Sequence, residues 1–215
     1  TWPVNLIFIL VIGGIYLGVF TPTEAAAIGM VGMGLIAYLR GGLTVKDFFE
    51  CVTGAAVFSA MVFMILLGAE FFNGFLALSR MPAEAATMIQ NSGMQPIMVL
   101  VTMVLIYLLL GCAMDSLAMI LLTVPIFWPI ISVLDFGMPA NDVKIWFGII
   151  TLIVVEVGLI TPPVGLNVFI INSMAKDTPM KETFKGVMPF LFTDLVRVIL
   201  LITFPILALG LPHLL

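Results

Sequence analysis

The sequence predicts an all-α polytopic membrane protein with about six transmembrane segments, a re-entrant helical hairpin and a discontinuous helix. Composition is the first reason: 62% of the residues are hydrophobic, 9% are charged and the mean hydropathy is +1.27, whereas a soluble domain carries about 25% charged residues. The second is the run Pro96–Leu134, which holds a single charged residue, Asp115, at its middle. As one helix this run would be about 58 Å long, nearly twice a bilayer core, so it must double back at Asp115. Each arm, roughly Pro96–Gly111 and Ser116–Ile131, rises only about 24 Å, which suits a re-entrant hairpin better than two crossings. The third is Thr161-Pro162-Pro163-Val164-Gly165 within an apolar stretch, where adjacent prolines remove two backbone donors and break the helix.

In chain order, Val4–Phe20 reads as a first apolar segment. Thr21-Pro22-Thr23-Glu24 then opens a helix to Leu39, with Thr21 as N-cap, Pro22 at the first helical position and Glu24 completing a capping box. Thr44-Val45-Lys46-Asp47 repeats that signature and is expected to open a short interfacial helix carrying Phe48 and Phe49. Gly54–Leu78 is long enough to cross, with Glu70 inside it, and Met81–Ser92 is more polar. After the hairpin a polar turn is expected at Asp135–Lys144, then helix over Ile145–Ile160, the break, and helix again to about Ser173. Lys176–Lys185 reads as a loop and Met188–Leu211 as the last span, in which Asp194 and Arg197 stand three apart and form a structural pair. No fixed-period repeat occurs.

The net charge of −4 is spread over loops, and no basic patch exists to hold a nucleic acid. Cys51 and Cys112 make no disulfide framework. The opening Thr1-Trp2-Pro3 has no basic region of a cleavable signal and reads as a cut within a longer polypeptide. An enzyme is not expected: the one histidine, His213, is near the C-terminal end, and Cys112 has no histidine partner. No phosphate-binding Gly-Lys-Ser/Thr loop is present, so ATP is not the energy source and no cofactor is expected. Lysines at 176, 181 and 185 place that loop on the cytoplasmic side, with Arg40 and Lys46. The hairpin then enters from outside, and the C-terminus is outside.

The tip Gly111–Ser116 and the break Thr161–Gly165 both fall near mid-membrane by residue count. Non-helical backbone at that depth is tolerated only inside protein or beside a wet cavity, and its free carbonyls and amides can hold ions. Asp115 either ligates a cation or caps the returning helix. Ser116 and Thr161 offer hydroxyl ligands, although Thr161 before two prolines is also an ordinary N-cap. Gly111, Gly158 and Gly165 allow close backbone approach, for a ligand or for helix packing. Asn167, on the restarted half-helix, reaches either a ligand or a neighbouring helix.

Three stretches carry a resemblance. They are Gly-Ile-Tyr-Leu-Gly-Val-Phe-Thr-Pro-Thr-Glu-Ala-Ala-Ala (Gly14–Ala27), Gly-Cys-Ala-Met-Asp-Ser-Leu-Ala (Gly111–Ala118) followed by Leu-Thr-Val-Pro-Ile (Leu122–Ile126), and Glu-Val-Gly-Leu-Ile-Thr-Pro-Pro-Val-Gly-Leu-Asn (Glu156–Asn167). In order and spacing the chain closely resembles the C-terminal half of the large membrane subunit, DctM/SiaM type, of tripartite ATP-independent periplasmic (TRAP) transporters. That resemblance implies one inverted-repeat half of an elevator-type secondary transporter in a bacterial inner membrane, importing organic acids such as C4-dicarboxylates or sialic acids with Na⁺ as coupling ion. It implies as partners the N-terminal half of the same subunit, a small membrane subunit and a periplasmic substrate-binding protein. It divides the chain into scaffold-type helices with an interfacial arm helix (1–52), a transport-type region (53–175, with hairpin 96–131 and broken helix 145–173), and a cytoplasmic loop with the last span (176–215). Carried over by motif, a sodium and substrate site would be made by Gly111, Cys112, Ala113, Met114, Asp115, Ser116, Gly158, Thr161, Pro162, Gly165 and Asn167, with Na⁺ at Asp115, Thr161 and nearby carbonyls. Glu156 of the same run serves function or a buried ion pair. A stand-alone sodium/dicarboxylate symporter of similar plan and a non-transporting scaffold subunit are the other readings.

Overall fold

The computed structural model describes residues 2–174 and 178–213, and every regular element among them is an α-helix. They form two compact units, Thr1–Phe63 and Met64–Leu215. The first contains α1 (Trp2–Tyr16), α2 (Pro22–Leu39) and the start of α3 (Val45–Ser79). α1 and α2 pack as an antiparallel pair because small residues let them approach: a Cβ on Gly32 would lie 3.0 Å from Ile7 Cδ1, and one on Gly29 3.5 Å from Val11 Cγ2. The turn between them lays the Phe20 ring on Gly14. The Thr21 amide then donates to Glu24 Oε2 at 2.8 Å and the Glu24 amide to Thr21 Oγ1 at 3.4 Å, closing the expected capping box.

Thr44 and Asp47 cap α3 in the same reciprocal way, at 2.9 and 3.2 Å. The short interfacial helix is not separate, however. α3 continues unbroken for 35 residues, because nothing between Phe49 and Gly54 removes a donor or demands positive φ, and a helical glycine costs only about 1 kcal/mol. At about 52 Å it exceeds a bilayer core, so its ends project beyond the hydrocarbon.

The second unit holds the rest of α3, then α4 (Met81–Asn91), α5 (Pro96–Gly111), α6 (Ser116–Ser132), α7 (Ala140–Ile160), α8 (Leu166–Met174), α9 (Met180–Thr203) and the short α10 (Ile206–Leu209). α5 and α6 are the expected hairpin arms, 16 and 17 residues long. Three other boundaries differ from expectation. The polar turn ends at Pro139, so Asn141, Asp142 and Lys144 lie in the first turns of α7, where Asp142 complements the helix dipole. α9 begins at Met180, so Lys181 and Lys185 are helical and not in a loop; Lys176 lies outside the described residues. The last span ends at Thr203 and not Leu211, because Pro205 cannot continue the ladder.

The core of this unit forms around α7, through Trp146, Phe147, Ile150, Val154 and Val155, with Leu100 and Met103 of α5, Met119 and Ile131 of α6, and Val198 and Leu201 of α9. Trp146 Nε1 donates to the Leu201 carbonyl at 2.7 Å. That carbonyl needs an outside donor, since its own helical partner position is Pro205. Asp194 and Arg197 pair at 3.2 Å as expected. Four helices, α2, α3, α7 and α9, are long and apolar enough to cross a bilayer. Large apolar side chains such as Phe63, Phe71 and Leu78 of α3 stand exposed, as lipid or protein neighbours require. The chain is a multi-pass membrane protein.

Candidate functional site

The two interruptions foreseen 50 residues apart in the chain meet in space. α5 ends at Gly111, and the tip turns on bonds from the Ala113 and Met114 amides to the Leu110 carbonyl, at 3.0 and 2.9 Å. α7 ends at Ile160. A Cβ placed on Gly111 would stand 2.7 Å from Gly158 Cα, and one on Gly158 would stand 2.7 Å from Gly111 Cα. Neither helix tolerates any side chain there, so backbone lies on backbone. Just beyond, the buried Cys112 thiol sits between the Leu108 carbonyl at 3.2 Å and the Pro162 carbonyl at 3.6 Å, joining hairpin tip to helix break.

Asp115 is the N-cap of α6: its Oδ2 accepts from the amides of Leu117 and Ala118 at 3.1 and 3.4 Å. Ser116 follows as the first helical residue, half-buried, while Ala113 is exposed and Met114 half-buried at the tip. Thr161 is the C-cap of α7, not the N-cap of the next helix. Its hydroxyl donates back to the Val157 carbonyl at 2.6 Å and its amide to Gly158 at 3.0 Å. The prolyl pair cannot complete the ladder, so the Leu159 carbonyl has no helical donor at Pro163. Gly165 has φ +55 and takes the left-handed conformation that favours glycine. It lies under the Phe184 ring of α9, which a Cβ would meet at 3.1 Å. Asn167 is half-buried in the first turn of α8. Gly165 thus belongs to the flank packed on α9 and does not join the Gly111–Gly158 contact. Glu156 is exposed on α7 and makes no buried ion pair among the described residues.

Sequence reasoning singled out Gly111, Gly158, Cys112 and Pro162 but not their pairing. It missed the buried hydroxyls of Tyr107, Thr123 and Thr151 beneath the site, whose signal was a hydroxyl residue within the apolar interior of each of three helices. On its other side Met114 of the tip and Ala118, Leu122 and Thr123 of α6 line an apolar cavity of about 530 Å³.

A family model described as "Tripartite ATP-independent periplasmic transporter, DctM component" matches residues 1–207. The C4-dicarboxylate TRAP transporter large permease protein DctM of Pseudomonas aeruginosa is 32% identical over 209 residues, covering 97% of this chain and 47% of that protein. The sialic acid TRAP transporter large permease protein SiaM of Vibrio cholerae is 29% identical, over 96% of this chain and 47% of its own length. The isethionate TRAP transporter permease protein DctMQ of Oleidesulfovibrio alaskensis is 33% identical, over 91% of this chain and 29% of its own length. No solved structure matches the chain. The chain spans about half the length of the DctM and SiaM relatives. With the motifs at both breaks and a match over nearly its whole length, the chain belongs to the DctM family of TRAP transporter membrane components.

Proposed function

We propose that this chain forms part of the solute and ion path of a sodium-coupled secondary transporter. In this reading the transporter imports organic acids of the C4-dicarboxylate or sialic acid class across a bacterial inner membrane by an elevator movement. A periplasmic binding protein delivers the solute, and the rest of the large subunit and a small membrane subunit complete the machine. One observation carries the reading: the hairpin tip and the helix break lie against each other, through Gly111 on Gly158 and Cys112 on Pro162.

Two backbone ends at one place concentrate carbonyl and hydroxyl oxygens where lipid supplies no competing partners, which is how transporters hold small cations. Asp115 uses one carboxylate oxygen on the α6 amides and keeps the other. Thr161 gives its hydrogen to Val157 and keeps its oxygen lone pairs. These two side chains with the freed carbonyls near Leu159 are the sodium ligands of this proposal. Ser116 and Asn167 flank them from the first turns of α6 and α8.

Uptake by the complete reconstituted transporter under an imposed sodium gradient is the test, with binding protein supplied outside. Sodium-dependent accumulation is expected, and equal uptake with sodium absent on both sides overturns the coupling. Asp115→Ala and Thr161→Ala are expected to raise the sodium half-saturation. A lowered melting point with an unchanged half-saturation would leave both residues as helix caps worth about 0.5–2 kcal/mol.

A further inference from the structure

Beneath the paired breaks lie three buried hydroxyls: Tyr107 on α5, Thr123 on α6 and Thr151 on α7, exposed by 1%, 6% and 2%. Thr123 Oγ1 is 2.6 Å from the Met119 carbonyl and 2.9 Å from the Tyr107 hydroxyl. A threonine has one hydroxyl hydrogen. With that hydrogen on Met119, Tyr107 donates to Thr123, and the two hairpin arms are tied by a neutral hydrogen bond between buried side chains. Thr151 stands beside Tyr107, and its hydroxyl has no partner among the described residues.

Tyr107 also touches each neighbouring helix. Its ring meets Phe127 of α6 edge-on with centroids 5.1 Å apart. Its carbonyl is 3.4 Å from where a Cβ of Gly158 would stand. One turn later on the same helix comes Gly111, the residue in backbone contact with Gly158. A seam of small and apolar side chains can slide by fractions of an ångström at little cost, because dispersion contacts have no preferred direction; a hydrogen bond between arms fixes their register.

We infer that Tyr107 and Thr123 are positioning residues: their hydrogen bond locks the hairpin arms into one body and thereby holds Gly111 and Cys112 against Gly158 and Pro162. The inference rests on the paired breaks being the ion site, but the lock itself is a statement about geometry. Thr123→Val keeps the volume and β-branching and removes the hydroxyl, with its bonds to Tyr107 and to the Met119 carbonyl.

Cys112 is the reporter. In the complete large subunit carrying Cys51→Ala, maleimide labelling at Cys112 is read by peptide mass spectrometry. Thr123→Val and Tyr107→Phe are each expected to raise the labelling rate at least about threefold by local opening, and Thr123→Ser to restore it. Ile130→Ala, a core truncation at the far end of α6, serves as a control of equal or greater thermal destabilisation and is expected to leave labelling unchanged. In uptake, Thr123→Val is expected to raise the sodium half-saturation with little change in maximal rate. Unchanged Cys112 labelling in both Thr123→Val and Tyr107→Phe, or an equal rise in Ile130→Ala, overturns the lock. If the unsubstituted transporter takes up solute without sodium, the sodium reading falls and labelling alone decides the lock.

Discussion

α3 and α7 are equally apolar as sequences, and the fold treats them oppositely. Ten of the 21 residues of α7 are buried, whereas in the 35 residues of α3 only Ala69 and Leu76 are. Their side chains explain the difference. α3 carries phenylalanines on every face, Phe58, Phe63, Phe71 and Phe75 among them, all exposed. α7 sets Trp146, Phe147, Ile150, Val154 and Gly158 toward its neighbours and confines Ile145, Leu152 and Glu156 to one outer stripe. In a lipid-soluble chain, apolar character alone brings no helix to the centre; close contact requires a surface with gaps that another backbone or ring can enter.

The contrast is broken most severely at the glycines. Gly158→Leu is expected to part α5 from α7, cost about 3 kcal/mol or more and abolish transport, because the clashing atoms are backbone and cannot turn aside. Gly74→Ala in α3, with nothing within 4 Å, should instead raise stability by up to about 1 kcal/mol through helix propensity. Thermal unfolding and uptake of the two variants, side by side, check the pair. A Gly158→Leu protein with wild-type unfolding would show that the contact is not tight.

A smaller effect is expected where α7 meets α9. Trp146→Phe leaves the Leu201 carbonyl without its donor and should cost about 1–3 kcal/mol. Adding Pro205→Ala supplies a backbone N–H to that carbonyl, so the double variant should recover part of the loss. Melting temperatures of the four proteins form a cycle, and strict additivity would mean that the indole and Pro205 act independently.

The smallest change concerns Thr151. Its buried hydroxyl has no partner among the described residues, so Thr151→Val should stabilise the protein by up to about 1 kcal/mol and leave Cys112 labelling as it is. A clear loss of stability would assign Thr151 a hydrogen bond in the working protein.

Much of the local structure was legible because its causes are local. Thr21 with Glu24, and Thr44 with Asp47, announce helix starts through reciprocal bonds three residues apart. Pro162 and Pro163 announce a break by lacking donors, and the length of Pro96–Leu134 requires a turn. Where local polarity misled, the polar residues were themselves helical. Asn141, Asp142 and Lys144 sit in the first turns of α7, and Lys181 and Lys185 in those of α9, since a helix N-terminus that reaches water accommodates charge as readily as a loop does. At Thr161 the backbone conformation distinguished a C-cap from an N-cap, and that conformation depends on the prolyl pair and on Gly165 beyond it.

The site divides along the same line. Its parts, a capped Asp115, a cysteine at a tip and a threonine before two prolines, follow from neighbours in the chain, because capping and proline chemistry act over three or four residues. Their meeting does not. Gly111 against Gly158, Cys112 against Pro162, and Tyr107 against Thr123 are pairings across 16 to 50 residues. In a chain apolar on nearly every face, hydrophobic periodicity no longer marks which face turns inward. Only three-dimensional packing, by the fit of backbone to backbone and of one hydroxyl to another, selects the partners.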